Sequence, residues 1–351
     1  MKVAVYTIAK NEAKHVKRWF ESAKGADYFL ICDTGSEDDT VKIAKELGIN
    51  VVECRVDPFR FDVARNYSLA SLPLDIDWCI ALDMDEVLVG DWRSELEKAL
   101  ADDVDRAYYR FITDFNEDGT PKHEFDGFRI HRRKNVFWSH PIHEVPRTYG
   151  KKEVTKKYNI EVWHKPDNSK IRSYYLPMLE SAAEENPEPR NLYYLAREYY
   201  YKENYEKALE VFKRYVEISK FPAEKGFALR LMAKCDPDNA EEYLTQGTEV
   251  YQSREAVLAL ANYYYEKKQW KECNYSSKVA FGITEKTTGF MSESWAWGHM
   301  AADLVAVSAW QLENWEEANK FGKIALKISP NDERLQKNLQ FYRSKIDGNI
   351  Q

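Results

Sequence analysis

The chain lacks any apolar run long enough to cross a membrane, since a spanning helix needs about 20 such residues. No secretory signal peptide is visible either, because the first residues run directly into a strand-like segment, and we expect a cytoplasmic protein. A basic excess is also missing: 51 Lys and Arg stand against 58 Asp and Glu. This balance argues against a duplex nucleic-acid binder, although it is compatible with a local basic groove.

Cysteine is scarce, with 5 residues in 351, and its spacing matches no metal-binding pattern. Three of the cysteines end or lie within apolar, strand-like runs. The odd count and this placement are typical of small core thiols in a reducing cytosol. The residues are Cys32, Cys54, Cys79, Cys235 and Cys273.

Glycine-rich phosphate loops are missing as well. The sequence contains neither Gly-x-Gly-x-x-Gly nor Gly-x-x-x-x-Gly-Lys. The sequence therefore lacks the main motif of dinucleotide-dependent oxidoreductases and that of P-loop enzymes.

The first half of the chain alternates strand-like and helix-like segments. Apolar, β-branched runs predict strands at 3–8, 28–32, 51–54 and 78–82. Three signals predict helices between them: the spacing of Val16, Trp19, Phe20 and Ala23, a capping-box pattern from Ser36 to Asp39, and a stripe of Val63, Tyr67 and Ala70. This order predicts an α/β fold with a mostly parallel sheet covered on both faces. An antiparallel hairpin is expected around a turn at 116–119.

The second half has helical spacing throughout. After Pro187 and Pro189, pairs of helix-like segments recur at 191–219, 257–280 and 302–330, with a shorter copy at 223–250. The pattern resembles tetratricopeptide (TPR) repeats, whose paired helices stack into a solenoid. The resemblance implies an array that binds a partner or extends a scaffold.

Two carboxylates one residue apart follow the run at 78–82. Asp83 and Asp85 would repel each other unless a cation lies between them, and the carboxyl edge of an open sheet is where ligands usually bind. A divalent cation holding a diphosphate would supply that charge. Further polar segments flank the other predicted strands at 7–12 (Thr-Ile-Ala-Lys-Asn-Glu), 33–36 (Asp-Thr-Gly-Ser) and 60–66 (Arg-Phe-Asp-Val-Ala-Arg-Asn).

Together and in this order, the four segments resemble the family 2 glycosyltransferases of GT-A fold. The resemblance implies a nucleotide-sugar donor, expected to be a uridine diphosphate (UDP) sugar, and Mn²⁺ or Mg²⁺ as cofactor. It implies that the donor is bound by Thr7, Asn11, Glu12, Asp33, Arg65, Asn66 and Asp83. It implies further that the metal is bound by Asp83, Asp85 and His164, the last because a later histidine returns to the metal in many GT-A enzymes.

A second polar cluster lies between the hairpin and the repeats. Arg129 to Arg133, Trp138 and the segment 140–144 (His-Pro-Ile-His-Glu) resemble an acceptor-side element of family 2 enzymes that carry TPR tails. This resemblance implies that Glu144 is the base of an inverting transfer, with Asp126 as the alternative.

The histidines of this cluster allow other interpretations. It holds five of the seven in the chain: His123, His131, His140, His143 and His164. A zinc site on His140 and His143 stays open, and so does a role for Glu144 as the partner of a histidine.

Other protein classes share parts of these motifs. The segment 33–36 matches aspartic proteases, but a second copy and an all-β setting are missing. The segment 83–87 fits the first motif of haloacid-dehalogenase phosphatases, which normally follows the first strand, whereas three predicted strands precede it here. A TPR interaction scaffold with an inactive GT-A domain is the remaining alternative, and the intact acidic pair with Arg65 and Glu144 argues against it.

We predict a GT-A domain at 1–165, a helical connector at 166–188 and TPR-like repeats at 189–351. The expected activity is that of a metal-dependent, inverting glycosyltransferase. Its expected partners are the donor and an acceptor that the repeats contact in part. The sequence leaves the acceptor open between a protein side chain, a glycan, a lipid-linked sugar and a modified nucleobase, and it leaves a homodimer open.

Overall fold

A computed structural model of the chain describes residues 1–99, 102–116, 118–150, 152–166, 175–286 and 292–348. The chain divides into two compact units, Met1–Glu185 and Asn186–Gln351. The predicted connector at 166–188 spans this division, and its residues 167–174 lie outside the described residues. The domain limits that we drew from the sequence stay predictions.

The first unit contains a large β-sheet with helices packed against it. Its strands are β1 (Val3–Ala9), β2 (Tyr28–Asp33), β3 (Asn50–Glu53), β4 (Trp78–Ala81), β5 (Glu86–Val89), β6 (Arg106–Phe115), β7 (Pro121–Arg132), β8 (Val136–Ser139), β9 (Val145–Thr148) and β10 (Thr155–His164). Its helices are α1 (Ala13–Ser22), α2 (Thr40–Glu46), α3 (Phe61–Ala70), α4 (Trp92–Lys98) and α5 (Tyr175–Glu185).

The sheet has eight strands in the order β3-β2-β1-β4-β7-β6-β10-β5, and β8 pairs with β9 separately. Strands β3, β2, β1 and β4 run parallel, as do β6 and β10, while β7 and β5 run antiparallel to their neighbours. The mostly parallel sheet and the β6–β7 hairpin are therefore confirmed. Because the parallel strands end at one edge, the polar segments that follow β1, β2 and β4 share that edge.

Both faces of the sheet are covered, as predicted. Val3 and Val5 of β1 belong to a core that includes Trp19 of α1. Tyr6, in the alternate register, belongs to a second core with Leu69 of α3. This period of two follows from the pleat of the strand, and burial on both sides explains the nearly continuous apolar runs of the parallel strands.

One local prediction was wrong. Ser36 does not cap a helix: α2 begins at Thr40, and the Ser36 hydroxyl instead accepts a hydrogen bond from the Asn11 backbone N–H at 2.9 Å. The predicted helix α3 is confirmed, and its stripe of Val63, Tyr67 and Ala70 is exposed. The opposite face of α3 is buried, with Leu69 in a core cluster and Arg65 paired with carboxylates of the same unit, and apolar spacing alone does not reveal these ion pairs.

The second unit is built from helices that contact the next along the chain. They are α6 (Pro189–Tyr201), α7 (Tyr205–Ile218), α8 (Pro222–Cys235), α9 (Ala240–Val250), α10 (Arg254–Glu266), α11 (Trp270–Gly282), α12 (Met300–Gln311), α13 (Trp315–Ile328) and α14 (Glu333–Gly348). Short 3-10 turns lie at Pro237–Asn239 and Ser294–Trp297. The predicted helix pairs are confirmed, whereas our repeat pattern did not include α14.

The turns inside three of the helix pairs have the same backbone geometry. Glu203, Lys268 and Glu313 have φ values of 60°, 58° and 58°, in the left-handed region. Asn204 and Asn314 follow two of these residues, and each side chain accepts a hydrogen bond from the backbone N–H three residues later. The recurrence of this turn indicates true structural repeats. Among the described residues, no helix is long and apolar enough to span a membrane.

Candidate active site

A tight turn follows β4 at the carboxyl edge of the sheet. The Glu86 backbone N–H donates to the Asp83 carbonyl at 2.9 Å, and the Glu86 side chain accepts from the Asp83 backbone N–H, also at 2.9 Å. Met84 is 2% exposed and belongs to the core below the turn. The turn thus leaves the Asp83 and Asp85 side chains, each 30% exposed, at the edge of the sheet.

Two arginines and three carboxylates form one connected cluster at this turn, the arginine–carboxylate network. Arg65 of α3 donates to Asp83 and, at 3.0 Å, to Glu144. Arg129 of β7 donates to the other Asp83 oxygen and, at 3.0 Å, to Glu86. Both Asp83 oxygens are therefore bound by guanidinium groups, a geometry that fixes the carboxylate firmly.

Burial and ion pairing oppose each other in this network. Burial works to raise the pKa of Asp83, but Arg129 and Arg65 outweigh it and hold that pKa well below its usual range. For Glu86, 2% exposed, burial prevails over Arg129 and raises the pKa to about 7. Burial alone would lower the pKa of Arg65, and the charges of Asp83 and Glu144 raise it overall.

Asp85 and His164 form a separate pair beside the network. Strands β5 and β10 bring them together, because Glu86 is the register partner of His164. The His164 Nε2 atom lies 3.2 Å from an Asp85 carboxylate oxygen. The His164 ring also stacks on Phe111, with ring centroids 6.0 Å apart.

These residues fit a divalent cation whose coordination a substrate completes. Mg²⁺ and Mn²⁺ sites often use one or two protein ligands together with phosphate oxygens, and a carboxylate and an imidazole suit Mn²⁺. Asp85 and His164 offer one of each. Across the described residues, no group of three or more His, Cys, Asp or Glu side chains could hold a metal by itself. The predicted metal ligands Asp83, Asp85 and His164 stay predictions. Asp83 differs from the other two because both of its carboxylate oxygens pair with arginines.

The loops after β1 and β2 hold each other through hydrogen bonds. The Asn11 side-chain oxygen accepts from the Glu37 backbone N–H at 2.8 Å, and the Glu12 backbone N–H donates to the Thr40 hydroxyl at 2.7 Å. The Asp33 carboxylate, 3% exposed, accepts from the backbone N–H groups of Gly35 and Ser36. Three predicted donor-binding residues thus lie in two interlocked loops at the ends of neighbouring strands.

Two other predicted donor-binding residues have internal contacts. Thr7 is fully buried in β1, and its hydroxyl donates to the Ile8 carbonyl at 3.1 Å. The Asn66 amide donates to the Trp138 carbonyl and accepts from the Trp138 N–H, each at 2.8 Å. These contacts join α3 to β8 and support the orientation of Arg65, which precedes Asn66.

A buried polar chain lies beneath Arg65. The Arg65 guanidinium lies 5.3 Å from the centroid of the Trp138 ring, and the Trp138 indole N–H donates to the Tyr6 hydroxyl at 2.8 Å. That hydroxyl donates to His131 Nε2 at 2.9 Å, and His131 Nδ1 donates to the Arg132 carbonyl at 2.8 Å. Burial lowers the pKa of His131 to about 4, so the ring is neutral at pH 7.

The histidine–glutamate loop has an unusual backbone. His140 and His143 have φ values of 79° and 54°, a region that non-glycine residues rarely adopt. His140 Nε2 accepts a hydrogen bond from Arg147 at 2.7 Å, and the His143 ring lies 6.4 Å from that of Tyr175. The loop places Glu144, 12% exposed, against Arg65.

Asp126, the alternative base, lies outside this cluster. Its carboxylate is 53% exposed and accepts from the Lys157 ammonium group at 2.5 Å. The structure therefore joins Arg65, Asp83 and Glu144 in one network and leaves Asp126 in an ion pair between β7 and β10.

Sequence reasoning missed the roles of Glu86 and Arg129. Glu86 follows the Asp83–Asp85 pair directly, so its position in the chain could have indicated it. Arg129 was noted only as part of the segment 129–133, and its pairing with Asp83, 46 residues away, could not be read from the sequence. His131 and Tyr6 likewise meet only through the pairing of distant strands.

Sequence comparison places the first unit among glycosyltransferases. Residues 4–159 match the family model described as Glycosyl transferase family 2. An uncharacterized glycosyltransferase of Rickettsia felis is 31% identical over 154 residues, 43% of this chain and 48% of the relative. One from Rickettsia bellii is 32% identical over 155 residues, 43% of this chain and 47% of the relative. The chain thus spans about half the length of these curated relatives.

Another curated relative and several solved structures are TPR proteins. A TPR repeat-containing protein of Synechococcus elongatus is 28% identical over 145 residues, 41% of this chain and 35% of the relative. Among solved structures, YrrB, described as a TPR protein with an unusual peptide-binding site, is 16% identical and covers 46% of this chain and 80% of its own, with a TM-score of 0.37. The MamA protein is 12% identical and covers 44% and 81%, also with a TM-score of 0.37.

Proposed function

We propose that this chain, whose residues 4–159 form a family 2 glycosyltransferase domain, transfers a sugar from a nucleotide-sugar donor to an acceptor in a metal-dependent, inverting reaction. The observation that carries the proposal is the position of the Asp85–His164 pair beside the arginine–carboxylate network, at the carboxyl edge of the sheet. Open α/β sheets bind their ligands at that edge. The donor we propose is a UDP-sugar.

The charge balance of the network supports metal dependence. Arg65 and Arg129 offset Asp83 and Glu144, so little positive charge is left for a diphosphate. A divalent cation held by Asp85 and His164 would supply it, and as a Lewis acid it would stabilise the charge that the diphosphate gains as it leaves. We keep Asp83 as a further ligand of the cation or of the donor ribose, which would require an arginine to shift.

The donor side would be formed by the interlocked loops and by Arg65. Asn11, Glu12 and Asp33 lie in those loops, and the Asp33 oxygens keep lone pairs for a base or ribose. Arg65 Nη1 is buried and has no hydrogen-bond acceptor among the described residues. An oxygen of the donor would satisfy it. Thr7 and Asn66 would act through the backbone that they hold in place.

We assign the catalytic base to Glu144, with Asp126 as the alternative. In an inverting transfer, the acceptor heteroatom forms a bond to the anomeric carbon while the bond from that carbon to the diphosphate oxygen breaks. The carboxylate removes the proton of the acceptor, and the diphosphate leaves with the bonding electrons. Glu144 is held at 3.0 Å from Arg65, which also contacts Asp83, so it is close to the proposed donor site.

Thermal-shift measurements with a panel of nucleotide sugars test the proposal. The melting temperature of the full chain should rise with a UDP-sugar only when Mn²⁺ is present, because a bound ligand stabilises the folded state. UDP-sugar without metal and Mn²⁺ alone are the controls. A shift with no member of the panel, together with no donor hydrolysis, would favour the alternative of a TPR scaffold with an inactive domain.

A further inference from the structure

Four aromatic side chains of the first unit form a row that ends at the histidine–glutamate loop. The Phe59 and Phe61 ring centroids are 5.0 Å apart. The Tyr175 centroid lies 6.4 Å from that of Phe61 and 6.4 Å from that of His143. Neighbouring rings meet at 70° to 80°, so they form the walls of a corner and not a flat floor. All four residues, which we call the aromatic cluster, are half-buried.

The aromatic cluster is joined to the loop that carries the proposed catalytic base. The Phe61 backbone N–H donates to the Pro141 carbonyl at 2.9 Å, which ties the start of α3 to this loop. His143, at one end of the cluster, directly precedes Glu144. Since consecutive Cα atoms are about 3.8 Å apart, the cluster ends next to the residue that we assign as the base.

Charged side chains with a fixed geometry border the aromatic cluster at Phe61. The Arg60 guanidinium donates to both oxygens of Asp62, at 3.2 and 3.1 Å, and to a Glu185 oxygen at 2.7 Å. The Glu185 carboxylate is 55% exposed, so it has lone pairs left at the surface. Two carboxylates against one guanidinium leave this rim with one negative charge.

Aromatic walls with an acidic rim fit a sugar better than the other acceptor classes. A pyranose has C–H groups on its faces, which the negative π faces of aromatic rings attract, and hydroxyls around its edge, which donate to carboxylates. A nucleic acid brings phosphates that need cations, whereas this rim is negative. An extended peptide binds along a strand edge and a helical one in a groove, whereas loops and helix starts form the aromatic cluster.

We propose that the aromatic cluster binds a sugar unit of a carbohydrate acceptor, with the sugar ring against Tyr175 and Phe61, one hydroxyl at Glu144 and others at Asp62 and Glu185. This inference rests on the proposed function and names its acceptor class. In the transfer, the proton of the first hydroxyl passes to Glu144 and its oxygen bonds to the anomeric carbon of the donor. The diphosphate leaves with the electrons of the bond that breaks.

Saturation-transfer difference NMR with the full chain tests the aromatic cluster without any donor. The probes are methyl β-glucopyranoside, methyl β-galactopyranoside and methyl α-mannopyranoside, while adenosine and the tripeptide Ala-Ser-Ala represent the other acceptor classes. We expect the ring C–H protons of at least one sugar to receive saturation from the protein. Phe61→Leu and Tyr175→Leu should each weaken binding of that sugar by about fivefold, because an aromatic contact is lost.

Tyr149→Leu is the matched control for these variants. Tyr149 is 61% exposed and lies beyond β9, five residues from Glu144, which is about 16 Å along an extended chain. This variant should bind the sugar as wild type does. Melting temperatures show which variants are folded, and Phe61 and Tyr175 belong to different helices, so the second variant still tests the site where the first is unfolded.

Three results would overturn the proposal. They are the absence of sugar binding, equal sugar binding by wild type and a folded variant of the aromatic cluster, and binding of adenosine or the tripeptide through Tyr175 while the sugars do not bind. Hydrolysis of a UDP-sugar with Mn²⁺, measured on the same samples, separates this proposal from the proposed function. Hydrolysis without sugar binding contradicts the acceptor site alone, whereas sugar binding through the aromatic cluster without hydrolysis contradicts the sugar transfer and supports the sugar site.

Discussion

Two arginines of this chain have similar aromatic surroundings and opposite electrostatic ones. Arg65 in the first unit lies 5.3 Å from the Trp138 ring and pairs with both Asp83 and Glu144. Arg197 in the second unit lies 5.2 Å from the Tyr193 ring and has no carboxylate partner among the described residues. The first cation completes a network of ion pairs inside its own unit, and the second is surrounded by aromatic rings.

The difference shows how the two regions are organised before any ligand binds. At the sheet edge, arginines hold Asp83 and Glu144, so Glu144 needs little rearrangement to act, and such preorganisation reduces the barrier to reaction. On the helical face, aromatic rings surround the Arg197 charge, and no carboxylate among the described residues pairs with it. We expect the removal of a charge to affect stability and function more in the first region than in the second.

The largest expected effect is on catalysis within the network. Glu144→Gln keeps an acceptor for Arg65 and removes the basicity, so donor turnover should fall by about 10²–10⁴, while donor affinity stays near wild type. Steady-state kinetics and calorimetry give the two quantities. Asp126→Asn is the control. Near-normal turnover in Glu144→Gln with a loss in Asp126→Asn would move the base to Asp126.

The two arginines should differ sharply in their contribution to stability. Arg65→Met leaves the buried Glu144 and the doubly paired Asp83 without this cation, which should cost about 3–5 kcal/mol of unfolding free energy. Arg197→Met removes ring contacts and one long hydrogen bond to Tyr201, which should cost about 1–2 kcal/mol. Urea denaturation of both variants measures the contrast. Equal losses would mean that Arg197 has a structural role like that of Arg65.

The polar chain under Arg65 predicts a pH dependence. Because burial lowers the pKa of His131 from 6.5 to about 4, the unfolded chain binds more protons between these values, and the stability that His131 contributes is full above pH 6.5 and lost as the pH falls toward 4. This contribution is at most about 3 kcal/mol.

The pKa of Glu86 is shifted in the opposite direction, to about 7. This shift favours the folded state at low pH, so the unfolding free energy of wild type changes less with pH. Wild type and His131→Gln both contain Glu86, so its effect cancels when the unfolding free energy of the variant is subtracted from that of wild type. We expect this difference in unfolding free energy to be larger at pH 7 than at pH 5. An equal difference at both values would contradict a neutral, buried His131.

A smaller effect is expected at the proposed third metal ligand. His164→Ala should weaken Mn²⁺ binding by about tenfold, because Asp85, water and the diphosphate remain as ligands. His123→Ala is the control, since His123 is an exposed histidine of β7. Titration of Mn²⁺ in the presence of UDP measures both. Equal affinities in both variants would make His164 a structural residue that stacks on Phe111.

Much of the fold could be predicted because it depends on local patterns. The apolar runs of β1, β2 and β4 and the helix pairs of the second unit follow from periodicity. One error arose where a distant contact decides, because Ser36 meets Asn11 instead of capping a helix. The carboxylate partners of Arg65 on the buried face of α3 could not be read from apolar spacing either. For the same reason the sequence pointed to Asp83 and Glu144 separately and could not show that one arginine joins them.

The central claim, a divalent cation at Asp85, is tested most directly by calorimetric titration of UDP into the full chain with and without Mn²⁺. Asp126→Asn is the matched control for Asp85→Asn. Wild type and the control should bind UDP more tightly when Mn²⁺ is present, and Asp85→Asn should lose that gain, because its neutral amide is a poor ligand for the cation. Asp85→Asn binding Mn²⁺ and UDP as tightly as wild type would contradict the account.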